Sequence, residues 1–415
     1  MLKKKILIVL ALSFVFMCLS GGAVRAASYP ISTQFSTGPA SIVATNAERN
    51  SAGLSIWPDG NMGFYQYSGQ NRMAGPNAGN IGVTQVTSSN LISSVVAANT
   101  PISSLKEPAN YAGGGPVYND SANGRLLMFY HGEIWPGGDS NRTWAFIGMA
   151  KSTDGGGSWT DLGRIITPNI QVSSPTYQGP ADVLGAPYII KDGYFYVYFK
   201  DQIDDGLYGQ AINYTVARAS VADVLNAANT GGVASFQKYY GGSFSQPGIG
   251  GLSQNIITGF PATRWADVIY LQKLNQYAMV FSVGAENEWW HMISLSNDGI
   301  NWFAPNALYG KLSQPGLYLS AFSGDYSNPR VATGNSFTFY RVNQYELTNV
   351  WANANVESMN ITFTGSASNG SSSSTKTLAA TGRSQVLTAI IASIVISITV
   401  LIAAFTVSRL KPKDH

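Results

Sequence analysis

Cysteine and histidine are almost absent from this sequence of 415 residues, which has one cysteine, Cys18, and three histidines, His131, His291 and His415. A single cysteine excludes an internal disulfide and a zinc-thiolate site, because both need several sulfur atoms. A histidine metal cluster or a Ser-His-Asp triad would have to use His131 or His291, so the counts argue against both. We therefore expect neither a metal nor a cofactor.

Charged residues are also scarce, at 11% of the chain against about 25% in an average globular domain. The net charge of +3 comes from the two ends, because residues 27–382 hold 17 of the 25 cations and 21 of the 22 anions, a net charge of −4. A nucleic-acid partner would need a basic surface, so none is expected. Hydrophobic residues make up 45% of the chain, which excludes intrinsic disorder.

Residues 1–26 predict a secretory signal peptide. The cations Lys3–Lys5 precede an apolar run, Ile6–Leu19, and the tripeptide Val24–Ala26 has small residues at its two ends, with cleavage expected after it. An uncleaved anchor is the alternative, although the apolar run is short for a membrane span. A lipoprotein signal at Cys18 is disfavoured, because Met17 stands where Gly or Ala is needed.

The carboxyl end has the three parts of a sortase signal. A pentapeptide resembles the LPxTG pattern of Gram-positive surface proteins, with alanine in place of proline. Its residues are Leu378, Ala379, Ala380, Thr381 and Gly382. Residues 386–407 form an uncharged apolar run long enough to cross a bilayer, and the basic tail after it would stay cytoplasmic. The resemblance implies cleavage after Thr381 and attachment to peptidoglycan, and a retained transmembrane anchor is the alternative.

Residues 365–377 are rich in Ser and Gly, a composition typical of a flexible linker. The working domain is therefore expected at residues 28–364. If both end signals operate, this domain lies outside the cell, anchored to the wall or membrane of a Gram-positive-type bacterium.

The expected domain is built from short β segments. Five times, a short apolar strand is followed by a turn rich in Gly, Asn or Asp and then by an aromatic or aliphatic strand. These hairpins span residues 53–67, 115–130, 186–199, 266–281 and 328–340. A repeat of about 60–80 residues is typical of a propeller. We therefore expect an all-β, five-bladed β-propeller whose amino- and carboxyl-terminal strands share a blade. Two stacked sandwiches are the alternative, and only residues 220–228 predict a helix.

Two turns, Ser152–Trp159 and Ser296–Trp302, have the sequence of the Asp box, a hairpin turn of sialidases and related propellers. Their aspartates would bond backbone N–H groups of the same turn, so we interpret Asp154 and Asp298 as structural. With these turns, residues 110–364 resemble the five-bladed propeller superfamily of glycoside hydrolases, which includes family 43 and the invertases. The resemblance implies hydrolysis of extracellular glycans by carboxylates at the mouth of the central channel. A wall-anchored, non-catalytic carbohydrate-binding adhesin is the alternative.

Three acids lie where the inner strands would meet the channel: Glu133, Asp182 and Asp267. Glu133 is expected to be the general acid, because the bulk of its neighbours would raise the pKa of its carboxyl group. Asp182 is then the base, and Asp267 orients the pair. Exposure in a loop is the alternative for each, and Asp59 is interpreted as a turn residue.

Aromatic and basic residues near these acids are expected to bind the sugar, because sugar rings stack on aromatic side chains and their hydroxyls need polar partners. The candidates are His131, Trp135, Arg264, Trp265, Trp289 and Trp290. Core packing is the alternative for the tryptophans. Trp289 and Trp290 are consecutive, so they cannot both face one side of a strand.

Overall fold

In a computed structural model, the structure describes residues 34–173, 179–203, 211–257, 263–285, 288–310, 312, 316–343 and 353–364. The chain divides into two units, Met1–Ser366 and Ala367–His415, and every described residue belongs to the first. The predicted signal peptide, the sortase pentapeptide and the apolar run 386–407 lie outside the described residues. Within the described ranges, no helix has both the length and the apolar character needed to span a membrane.

The described residues form 26 strands and two α-helices. In chain order the strands are β1 (Phe35–Thr37), β2 (Ser41–Ala44), β3 (Gly63–Tyr67), β4 (Gln70–Asn77), β5 (Asn80–Gln85), β6 (Ser94–Thr100), β7 (Ile102–Ser103), β8 (Tyr111–Gly113), β9 (Val117–Asp120), β10 (Arg125–Ile134), β11 (Trp144–Ser152), β12 (Trp159–Ile166), β13 (Val183–Leu184), β14 (Tyr188–Lys191), β15 (Tyr194–Ile203), β16 (Ala211–Ser220), β17 (Gln237–Tyr240), β18 (Ser243–Pro247), β19 (Thr263–Leu271), β20 (Gln276–Ala285), β21 (Glu288–Ser296), β22 (Asn306–Ala307), β23 (Leu317–Phe322), β24 (Val331–Ala332), β25 (Ser336–Asn343) and β26 (Asn355–Phe363). The helices are α1 (Asn46–Ser51) and α2 (Val221–Asn229).

These strands pair into five sheets, which are the five blades of a β-propeller. Blade 1 is β3–β6, blade 2 is β7–β12, and blade 3 is β13–β18. Blade 4 is β19–β22 with β24, and blade 5 contains β23, β25 and β26 with β1 and β2. The predicted five-bladed, all-β fold agrees with this pairing, and the two-sandwich alternative does not.

The hydrophobic core is divided into layers between neighbouring blades. One cluster joins blades 1 and 2, and the next three join blades 2 and 3, 3 and 4, and 4 and 5. A fifth cluster joins blade 5 to blade 1. Because each blade buries a face against both neighbours, the five blades complete a ring.

The ring is closed by the two ends of the domain. In blade 5, β1 and β2 both pair antiparallel with β26, with Phe35 opposite Phe363 and Ser41 opposite Ser358. The expectation that the terminal strands share a blade is therefore confirmed.

Three of the predicted hairpins form as expected: β9–β10, β14–β15 and β19–β20. The first and last predicted hairpins, at residues 53–67 and 328–340, do not form. Residues 53–57 are not a strand, since Gly53 has a positive φ of 72° in the turn after α1, and β3 is instead the first strand of blade 1. In blade 5, β25 pairs with β23, while β24 pairs parallel with β19.

The first strands of the blades, β3, β9, β14, β19 and β23, surround the central axis and run in the same direction along it. The segments that lead into β3, β9 and β14 lie together around one small cavity, where Asp59, Gly114 and Gly185 meet. Residues of these three strands line a second cavity together with residues 326–331, which follow β23. We call the first cavity the mouth and the second the distal cleft.

Candidate active site

The mouth is narrow because glycines bring the inner strands close together. It is lined by residues 59–61, 114–116 and 185–186 and by His131. A Cβ atom on Gly63 of blade 1 would lie 2.5 Å from the carbonyl oxygen of Gly115 in blade 2. These short side chains leave room for the polar groups described next.

Glu133 and His131 lie near the carboxyl end of β10 and, two residues apart, share one face of the strand. The Glu133 carboxylate is 3.0 Å from Nε2 of His131, and it accepts a 2.6 Å hydrogen bond from Nε1 of Trp135. Burial alone would raise the pKa of Glu133, but these hydrogen bonds and the charge of His131 lower it below its usual value. This direction is opposite to the sequence-based expectation, which considered the bulk of the neighbours and not their N–H groups.

Asp59 is the acid that the sequence analysis missed. It precedes β3, and its Oδ2 accepts a 2.9 Å hydrogen bond from Oη of Tyr111. Burial raises the pKa of Asp59 to about 6, against hydrogen bonds from Tyr318 and Tyr111 that lower it. Tyr318 has a φ of 56°, a backbone conformation that non-glycine residues rarely adopt. Gly60 and Asn61 follow Asp59 and are typical turn residues. For that reason the sequence analysis interpreted Asp59 as part of a turn and not as a site residue.

His131 is hydrogen-bonded to one carboxylate, Glu133, and is affected by the charges of two others. Its burial alone would lower its pKa, but the hydrogen bond to Glu133 and the charges of Glu133, Asp182 and Asp59 raise it. Asp182 precedes β13 and forms a 2.8 Å ion pair with Lys200. Asp182 and Asp59 thus both act on the charge of His131, to which Glu133 is hydrogen-bonded, and the predicted catalytic roles stay predictions.

Asp267 does not reach the mouth. It is 0% exposed, and Oδ1 accepts hydrogen bonds from Arg330, at 2.6 Å, and from the Val268 N–H. Its Oδ2 accepts the N–H of Ala321 on β23. The register of β19 with β20 shifts between Arg264 and Asp267, directly before Asp267 makes these bonds. The predicted orienting role is corrected, because Asp267 ties β19 to β23 with both oxygens occupied.

The residues predicted to bind sugar do not lie together in one place. Trp135 is half-buried and donates a hydrogen bond to Glu133. Trp289 and Trp290 lie on β21, the third strand from the axis, and Trp290 packs on the core between blades 3 and 4. Arg264 and Trp265 belong to β19, but their side chains lie outside the described part of the chain.

Asn61 and Met62 connect blade 1 to blades 4 and 5 beside the mouth. Asn61, 3% exposed, donates from Nδ2 to the carbonyl oxygens of Ala266 at 3.0 Å and Leu319 at 2.8 Å. The Met62 N–H donates to Oγ of Ser320. These bonds join the segment before β3 to β19 and β23, and the mouth and the distal cleft share no lining residue. Among the described residues, no group of three His, Cys, Asp or Glu side chains could hold a metal ion.

No protein-family model matches the chain, and no curated protein matches it. Among solved structures, the catalytic domain of a GH62 α-L-arabinofuranosidase from Coprinopsis cinerea is similar, at 12% identity and a TM-score of 0.45 over 81% of this chain and 99% of that one. An α-L-arabinanase from Penicillium chrysogenum has 13% identity and a TM-score of 0.42, over 79% of this chain and 98% of that one. A GH43 endo-arabinanase from Bacillus licheniformis has 14% identity and a TM-score of 0.43, over 72% of this chain and 92% of that one. All three are glycoside hydrolases. At these values the fold assignment of this chain depends on its own strand pairing, and the named activities are those of the other proteins.

Proposed function

We propose that the chain is a glycoside hydrolase whose acid and base are carboxylates at the mouth. The observation that carries this proposal is a pair of carboxyl groups beside one cavity. Asp59 and His131 line the mouth, Glu133 is hydrogen-bonded to His131, and the pKa values of Asp59 and Glu133 are displaced in opposite directions. Glycoside hydrolysis needs one protonated and one ionised carboxyl group, and environments that push two pKa values apart supply both at one pH.

The roles follow from the protonation states. Asp59, with a pKa of about 6, would protonate the leaving glycosidic oxygen. Glu133, held ionised by His131 and Trp135, would accept the proton of the attacking water. Asp182, paired with Lys200, raises the pKa of His131 and would thereby help to keep His131 protonated beside Glu133. This assignment moves the acid from Glu133, the sequence-based choice, to Asp59, and it moves the base from Asp182 to Glu133.

The test is a screen of the full chain on aryl-glycosides and polysaccharides. Once a substrate is found, Asp59→Asn and Glu133→Gln should each lower kcat/KM by a factor of about 10² or more, the scale of losing a general acid or base. Asp192→Asn, in an exposed turn of blade 3, is the matched control and should keep full activity. Near-normal activity in both mouth variants would contradict the proposal.

The second candidate function is carbohydrate binding without hydrolysis. Both oxygens of Glu133 are hydrogen-bonded, and Asp182 is paired with Lys200, an arrangement that also suits a rigid binding site. A negative hydrolysis screen together with binding on a glycan array would favour this adhesin over the enzyme.

We also propose that the chain acts outside the cell, with carbohydrate, sortase and peptidoglycan as its partners. The support is the paired signals in the sequence, residues 1–26 and 378–413. Mass analysis of cell-wall fragments is the test. A carboxyl end at Thr381 would support sortase cleavage, whereas an intact His415 in the membrane fraction would contradict it.

A further inference from the structure

The distal cleft lies further along the inner strands than the mouth, and the two cavities share no lining residue. It is lined by residues 64–65, 117–119, 188–190 and 326–331 and has a volume of about 90 Å³. Pockets that enclose a whole small molecule span about 300–1,000 Å³, so this open cleft would hold one part of an extended ligand and not enclose it.

Two half-buried tyrosines form aromatic walls of the cleft. The Tyr326 ring lies 4.6 Å from that of Phe322 and 6.1 Å from that of Phe64. The Tyr118 ring packs edge-on against Phe195 at 5.0 Å. Within the described ranges, neither tyrosine hydroxyl bonds to another residue. Both rings are therefore held in place before any ligand arrives, which lowers the entropy cost of stacking on them.

The cleft carries no uncompensated charge. Arg330 lines it at 6% exposure, and its guanidinium forms a 2.6 Å ion pair with the buried Asp267. Asn119 and Asn328 add amide groups to the lining. A phosphorylated or carboxylated ligand would find no free cation there, whereas an uncharged molecule with apolar C–H faces and many hydroxyls matches both the rings and the amides.

We propose that the distal cleft is a second carbohydrate-binding site, for a neutral oligosaccharide whose sugar ring packs on Tyr326 and Tyr118. Asn119 and Asn328 bond its hydroxyls. The site acts whether or not the mouth hydrolyses glycans. Holding one glycan at two separate sites raises the avidity for a polymer without any change at the mouth.

The test uses the full chain with Asp59→Asn, so that the probes are not consumed. Cellotriose, xylotriose, maltotriose and arabinobiose are titrated by calorimetry, with a trimer of galacturonic acid as the anionic probe. We expect at least one neutral probe to bind. Adding Tyr326→Ala or Asn328→Ala should weaken that binding at least about tenfold, the scale of losing an anchoring residue.

Tyr240→Ala, at an exposed tyrosine of β17 outside the cleft, is the matched control and should bind as before. Asn328 is exposed, so its variant keeps the test valid if Tyr326→Ala fails to fold. The proposal is overturned if no neutral probe binds, if neither cleft variant changes the isotherm, or if the galacturonate trimer binds as well as the neutral probes. If the wild-type chain hydrolyses glycans but nothing binds in the cleft, the second-site proposal is wrong and the hydrolase proposal stands. If a probe binds in the cleft but no glycan is hydrolysed, the hydrolase proposal is wrong and the second-site proposal stands.

Discussion

Asp59 and Glu133 differ in their partners more than in their exposure. Asp59 is hydrogen-bonded by neutral phenols, which do not offset its burial. Glu133 is bonded by a histidine whose own pKa is raised. Two carboxyl groups at one cavity thereby acquire different protonation states.

The first prediction concerns activity and pH. Since Asp59 must carry a proton to act as the acid, kcat/KM should fall as the pH rises through about 6. Since Glu133 must be ionised, kcat/KM should also fall at acidic pH, below the usual glutamate range. A pH profile from about pH 3 to about pH 9 measures both limbs. A profile that stays flat through pH 6 would contradict the role of Asp59.

The second prediction concerns stability and the same group. The pKa of Asp59 is raised in the folded chain from 3.8 to about 6, so the folded state binds more protons than the unfolded state between these values. Stability should therefore fall as the pH rises from about 4 to about 6 and stay reduced above it. Asp59→Asn should remove this part of the pH dependence and raise the melting temperature at pH 7. If the wild-type chain and Asp59→Asn have equal melting curves at pH 7, this prediction is wrong.

The third prediction separates structure from catalysis at Asp267. Asp267→Asn leaves Arg330 buried beside a neutral amide, and losing one partner of a buried pair costs about 3–5 kcal/mol. Chemical denaturation should show this loss, with Asp192→Asn as the exposed control. A variant of normal stability and greatly reduced activity would restore the orienting role predicted from the sequence.

At the scale of turns and strands, the two predicted Asp boxes join neighbouring blades. Oη of Tyr65 in blade 1 donates to the carbonyl of Gly155 in blade 2 at 3.0 Å. Oη of Tyr198 in blade 3 donates to the carbonyl of Gly299 in blade 4 at 2.9 Å. Each turn is held internally by its aspartate, since Asp298 accepts the N–H groups of Ile300 and Asn301.

The fourth prediction tests the hydrogen bond between Tyr198 in blade 3 and Gly299 in blade 4. Tyr198→Phe should lower the free energy of unfolding by about 0.5–1.5 kcal/mol, the net value of one hydrogen bond. Gly299→Ala should cost more, because Gly299 has a φ of 75° and an added Cβ would lie 2.6 Å from Oη of Tyr198. Urea denaturation measures both, with Tyr194→Phe as the control. A neutral Gly299→Ala would contradict the close contact.

Local patterns predicted some elements and missed others for identifiable reasons. Helix α2 could be predicted because Ser220 is a favourable N-cap and accepts the N–H of Asp223. The hairpins of blades 2 to 4 could be predicted because their two strands are adjacent in the chain. In blade 5, β23 and β25 are separated by residues 323–335, so their pairing is set by the ring and not by a turn. The burial of Asp59 likewise depends on Tyr111 and Tyr318, which are distant in sequence.

At the scale of the whole molecule, the ring depends on the pairing of its two ends. The fifth prediction is that deleting residues 1–44, which removes β1 and β2, exposes one edge of β26 and lowers both the stability and the cooperativity of unfolding. Deletion of residues 1–26 is the matched control and should leave the thermal transition unchanged. Equal transitions in the two truncated chains would show that β1 and β2 do not close the ring.

The direction of β26 also determines where the described chain leaves the propeller. Thr362 lies opposite Ser336, which follows the loop that lines the distal cleft, so the chain leaves blade 5 on the side of the cleft and not on the side of Asp59. A label attached after Thr364 would therefore lie on the cleft side of the ring and should leave the mouth open to a polymer.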